Sequence, residues 1–103
     1  MSDSPAAFKG EIIVVATIPG KPETVAELRQ HLKAIQEHAQ SDKEPGCSTY
    51  RVSQFEYTFV CFEKYESNAA LTAHLEAPPF QALRKIVADL LSGPLQIKYY
   101  EEI

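Results

Sequence analysis

The sequence predicts an α+β fold with the element order β-α-β-β-α-β. This is the ferredoxin-like split βαβ arrangement, one four-stranded antiparallel sheet with its helices on one face. Three observations carry the prediction. Four segments rich in β-branched and aromatic residues are each bounded by Gly, Pro and polar turn residues. Amphipathic helical periodicity separates the first from the second and the third from the fourth. Right-handed crossovers then put both helical regions on the same side of the sheet.

Residues 1–10 are expected to form a loose tail ahead of a single domain over residues 11–103. Glu11 to Ile18 is a strand whose two faces, Ile13-Val15-Thr17 and Ile12-Val14-Ala16-Ile18, are both largely apolar. Pro19-Gly-Lys-Pro22 is a turn, with Pro22 suited to the first helical position. From Glu23 to Gln40, Val25, Leu28, Leu32, Ile35 and Ala39 recur at helical spacing. In the Glu44-Pro-Gly turn Pro presets the bend and Gly supplies the unusual dihedrals. Cys47–Gln54 and Glu56–Glu66 form a hairpin. Its second strand is also apolar on both faces, with Phe59, Cys61 and Tyr65 one way and Val60 and Phe62 the other. Ser67 caps a short helix containing Leu71, His74 and Leu75. Ala77-Pro78-Pro79 ends it, and Phe80, Leu83, Val87, Leu90 and Leu91 mark the second piece. After Ser92-Gly-Pro94, Leu95–Tyr100 is the last strand.

Strands that are greasy on both faces need cover on both sides. The helices cover one. The other face would expose an apolar patch beyond what a monomer carries, so the expected partner is a second copy, stacked sheet face to sheet face.

Composition excludes other classes. The net charge is −4, and the ten Lys and Arg form no run longer than Arg84-Lys85, which is unsuited to a phosphate backbone. The N-terminus lacks a basic region followed by an apolar stretch, and the longest strictly apolar run, Ile12 to Ala16, is far too short for a bilayer. A cytoplasmic protein with no membrane contact is expected. Two cysteines make no disulfide framework, and with a tight turn at Glu56 they should fall on opposite faces of the hairpin. No metal-ligand cluster, glycine-rich dinucleotide motif or phosphate loop is visible, so no cofactor is expected. His31 and His38, seven apart on the long helix, are read as boundary positions.

The Glu44-Pro-Gly-Cys47 turn with Tyr50, the Phe62-Glu63-x-Tyr65-Glu66-Ser67 strand end, and Ala73-His74-Leu75 with Phe80 resemble the antibiotic biosynthesis monooxygenase (ABM) family. That family belongs to the dimeric α/β-barrel superfamily, and the resemblance runs from about Glu11 to Ile103. It implies a homodimer, each subunit holding a small hydrophobic cavity between sheet and helices. It further implies oxidation of a small electron-rich aromatic (a quinol, an anthrone or a related polyketide) by O2, without metal, flavin or haem. Such a phenolate or carbanion passes an electron directly to oxygen, so the protein chiefly binds, deprotonates and excludes water. Haem degradation is rejected. Relatives with that activity resemble one another in an Asn on the first strand, a Trp ending the third and a His on the last helix; here those places hold Ile12–Thr17, Tyr65 and 81–85 without His.

Catalytic candidates are His74 and Glu63. His74 titrates near neutrality and suits a general base, against the plainer role of a packed helix histidine. Relatives often carry a second His where this chain has Pro79, which leaves His74 as the base supplied by the resemblance. Glu63 lies in an otherwise apolar strand face shared with Tyr50; it is a base or the acceptor of a structural hydrogen bond. Tyr50, Tyr65, Phe62 and Phe80 are the substrate-binding candidates. Tyr65 stands where many relatives carry Trp, and either stacks on a ligand or packs at the interface; Phe62 and Phe80 are better suited to the core than to ligand contact. A non-oxidative member of the same scaffold, an isomerase, cyclase or ligand-binding dimer, is the competing reading.

Overall fold

A computed structural model describes residues 8–103. Residues 1–7 of the expected tail lie outside the described residues. Phe8, the first described, packs against the core beside Ile12 and Tyr65, and its carbonyl accepts from Asn68 Nδ2 at 3.1 Å.

The elements run β1 (Ile12–Pro19), α1 (Val25–Ala39), β2 (Cys47–Phe55), β3 (Thr58–Tyr65), α2 (Asn68–Glu76), α3 (Pro78–Arg84), α4 (Val87–Leu90) and β4 (Gln96–Tyr100). The sheet order is β2-β3-β1-β4, and every neighbouring pair is antiparallel. This is the ferredoxin-like α+β fold, with the sheet open rather than closed. The period-2 pattern of β1 explains its place at the centre: Ile12, Val14, Ala16 and Ile18 are buried under the helices, and Ile13, Val15 and Thr17 are half-buried on the other side.

Leu28, Leu32, Ile35 and Ala39 form the buried stripe of α1, one side of the main core, with Phe59, Cys61, Tyr50 and Leu83 opposite. Gln36 on α1 and Gln40 at its C-cap also hold the outer edge of the sheet. Gln36 Oε1 accepts from Val52 N–H and Gln40 Nε2 donates to the Tyr50 carbonyl, each at 2.8 Å. Those bonds satisfy edge-strand groups that would otherwise face solvent or another strand.

Three local expectations are corrected. Pro22 is not the first residue of α1; it lies in a turn ahead of Thr24, whose hydroxyl accepts from Lys21 N–H and donates to the Leu90 carbonyl at 2.7 Å. The helical region after β3 breaks into three pieces rather than two, because the chain leaves helical geometry again at Ile86. Cys47 and Cys61 do not lie on opposite faces. A β-bulge between Cys47 and Thr49 adds one residue to β2 and turns Cys47 back to the helix side, opposite Tyr65. Both thiols are free. The Ser67 cap stands as expected, accepting from Ala70 N–H at 3.1 Å.

The helix-free face carries Ile13 and Val15 of β1, Val60 and Phe62 of β3, and Tyr100 of β4. Phe62 is 43% exposed there, so it is neither core nor cavity wall; the strict alternation of β3 fixes it opposite Cys61 and Glu63.

Candidate functional site

Sheet register fixes what the helix side offers. Glu63 of β3 stands opposite Tyr50 of β2 and Val14 of β1, and Val14 stands opposite Tyr99 of β4. One row across the sheet is therefore Tyr50, Glu63, Val14, Tyr99. Two residues along, the next row is Val52, Cys61, Ala16, Ile97. The small side chains of Val14 and Ala16 leave space beneath the helices, and a cavity of about 90 Å³ lies over them. Leu32, Ile35, Leu71, Leu75, Phe80 and Leu83 roof it, and Ile18, Leu95 and Ile97 extend it away from Tyr99. Its polar side chains are Tyr50, Cys61, Glu63 and Tyr99.

Glu63 is the chemically active member of that wall. The Tyr65 hydroxyl donates to its Oε1 at 2.6 Å, and the residue is buried. Burial pushes its pKa up to about 7, against the pull of the Tyr65 bond, and the nearby Glu44 charge adds to the rise. A carboxyl with that pKa exchanges protons in both directions at neutral pH. Burial and the Glu63 charge push the Tyr50 and Tyr65 phenols well above their ordinary range. Cys61, within hydrogen-bonding reach of Tyr50, is pushed up to about 12 by burial and by Glu63, so it is held as a neutral thiol.

His74 is placed differently from the expectation. It is buried on α2 but does not line the cavity; it stands one layer behind the wall. Its ring centroid lies 5.2 Å from Tyr50, 5.3 Å from Tyr65 and 5.6 Å from Phe80. Its Nδ1–H donates to Glu44 Oε1 at 2.7 Å, while Glu44 Oε2 accepts from His38 Nδ1–H. Burial lowers the His74 pKa against the opposing effect of Glu44, which leaves a neutral imidazole with Nε2 as its basic nitrogen. Glu44, only 7% exposed, thus ties the end of α1 to α2 through both oxygens.

Of the six sequence candidates, Glu63, Tyr50 and Phe80 line the cavity, His74 and Tyr65 support it from behind, and Phe62 lies on the opposite face of the sheet. Sequence reasoning missed two residues. One is Glu44, which the sequence places in a turn but whose carboxylate, three residues before the start of β2, reaches inward to His38 and His74. The other is Tyr99, whose parity with Ile97 along the last strand puts it on the cavity side. A larger groove of about 310 Å³ between α1 and β2 is lined by Arg29, Lys33, Gln36 and Gln54. It is open and holds no buried titratable group. Among the described residues there is no group of three His, Cys, Asp or Glu arranged to hold a metal ion, and no helix long and apolar enough to cross a membrane.

Comparison with known proteins places these features in context. The family model described as "Antibiotic biosynthesis monooxygenase" matches residues 11–86. The Bacillus subtilis protein named "Putative monooxygenase YcnE" is 32% identical over 89 residues, covering 84% of this chain and 92% of its own length. An uncharacterised Synechocystis protein, sll1783, is 32% identical over 93 residues; the alignment takes in 87% of this chain but 62% of that protein. Among solved structures, an antibiotic biosynthesis monooxygenase candidate from Caulobacter crescentus superposes with a TM-score of 0.83 at 27% identity, covering 93% of this chain and 92% of the other.

Proposed function

The chain belongs to the antibiotic biosynthesis monooxygenase family, and from that premise we propose that it is a cofactor-independent monooxygenase. Its substrate is a small electron-rich aromatic of the quinol, anthrone or polyketide type, bound over Val14 and Ala16 and oxidised by O2. The observation that carries the reading is Glu63, a buried carboxyl with a pKa near 7 in the wall of an otherwise mostly apolar cavity.

Each group has a task. Tyr65 engages Oε1 of Glu63, so Oε2 takes the substrate proton. The electron-rich anion passes one electron to dioxygen, and recombination of the radical pair forms the carbon–oxygen bond. The resulting hydroperoxide loses water as its O–O bond and the remaining C–H bond break. One oxygen atom stays as a carbonyl and the other leaves as water. The substrate supplies all four electrons that dioxygen takes up, so no external reductant enters. The Leu and Ile roof excludes bulk water from the anion. His74, braced by Glu44, holds Tyr50 and Phe80 in the wall and supplies a second basic nitrogen behind them.

The working unit in this reading is a cytoplasmic homodimer. Its support is the apolar centre of the helix-free face, Ile13, Val15, Val60 and Phe62, flanked by Arg51 and Lys98 at the ends of one row across the sheet. A second copy stacked there covers a surface that no helix of the same chain reaches.

Glu63 also suits a non-oxidative proton shift, as an isomerase or cyclase would use. Oxygen uptake separates the two. Protein treated with chelator is supplied with a quinol, an anthrone or a single-ring phenol in an oxygen electrode. Uptake above the substrate's own autoxidation, lost in Glu63→Gln, supports the monooxygenase; rearrangement of the substrate without uptake supports the isomerase.

A further inference from the structure

The cavity is polar at one end only, and this deepens the proposed function by restricting the class of aromatic it accepts. Tyr50, Glu63 and Tyr99 share one row of the sheet, with Val14 as the floor between Glu63 and Tyr99. Glu63 and Tyr99 are two strands apart, about 10 Å between their backbones, and the small Val14 leaves room between them for the edge of a single ring. Both line the cavity, and both are at least partly shielded from solvent. One residue pair further along, about 7 Å away, the row is Val52, Cys61, Ala16, Ile97. Its one polar side chain, Cys61, is a neutral thiol already engaged with Tyr50. Beyond it the wall is Ile18, Leu32 and Leu95.

We propose that the ligand carries its hydroxyl on one edge and is apolar at the opposite edge, with Tyr99 as the residue that selects it. Glu63 accepts the hydroxyl proton, and the Tyr99 phenol donates to the same oxygen from the other side of Val14. A para-dihydroxybenzene seated this way drives its second hydroxyl against Ala16 and Ile97, where it loses its hydrogen bonds to water without replacement. The inference rests on this cavity being the substrate site, but binding tests it without turnover.

The test is anaerobic calorimetric titration of the full chain with 4-ethylphenol, its O-methyl ether and hydroquinone. The wild type is expected to bind 4-ethylphenol about tenfold tighter than either of the others, the scale of one hydrogen bond left unmade in a buried site. Tyr99→Phe should lose about tenfold for 4-ethylphenol. Ile97→Thr, which offers a hydroxyl at the apolar row, should raise hydroquinone affinity several-fold. Equal affinity for the two phenols, an unaltered Tyr99→Phe, or no binding of any probe overturns the inference. The one-ended preference seen without oxygen uptake in a parallel electrode run supports this inference while refuting the oxygenase reading. Uptake without the preference does the reverse.

Discussion

Replacing Glu63 by Gln should change how the protein's stability depends on pH, and the size of the change follows from the site. In the folded chain burial holds the Glu63 carboxyl near pKa 7, whereas its ordinary value is 4.5. Between those two pH values the folded state keeps a proton that the unfolded state has lost. Stability must therefore fall as pH rises through this window, since the unfolded state binds fewer protons there. The contribution is fully present below 4.5 and gone above about 7. A gap of about 2.5 pH units at roughly 1.4 kcal/mol per unit gives about 3 kcal/mol. Gln is neutral at all pH values and still accepts from Tyr65, so the variant lacks this slope. Urea unfolding of both proteins from pH 4 to 8, at one fixed protein concentration, measures it. The difference in unfolding free energy should shift by about 3 kcal/mol in favour of the variant as pH rises. Parallel curves would mean that Glu63 ionises normally, and the argument for a poised base would fail.

The same carboxyl predicts that turnover rises with pH through about 7 as Glu63 loses its proton, a dependence checked by initial rates of oxygen uptake and absent if another group is the base. His74→Ala removes a ring packed among Tyr50, Tyr65 and Phe80 and leaves Glu44 short of a donor. Urea titration should show a loss of about 2–4 kcal/mol, together with a marked fall in oxygen uptake. Gly46→Ala would put a Cβ 2.5 Å from the Ala70 Cβ, forcing the turn away from α2; a cost of about 1–3 kcal/mol is expected from the same titration. Phe62→Glu places a charge at the centre of the helix-free face, and sedimentation should turn a dimer into a folded monomer. A wild type that is already monomeric at micromolar concentration would refute the proposed assembly.

The fold was legible because its signals are local. Alternation along β1 and β3, the apolar stripe of α1 and the Ser67 cap each depend on residues within a few positions of one another. The strand order follows from them by handedness alone. Features set by a single inserted residue or by distant contacts were not legible. The bulge at Ser48 moves Cys47 to the other face without any change in local composition. Glu44 meets His38 six residues earlier and His74 thirty residues later, and nothing in either neighbourhood marks the pairing. The site was half legible for the same reason. Strand parity puts Glu63 and Tyr50 together on the helix side, but whether His74 reaches the cavity or backs its wall depends on how α2 sits over the sheet.

The most direct measurement is a crystal structure of the protein soaked anaerobically with 4-ethylphenol. Density is expected over Val14 and Ala16, with the phenol oxygen within hydrogen-bonding distance of the Glu63 carboxyl. Density in the groove between α1 and β2, or on the helix-free face, with the cavity empty, would contradict it.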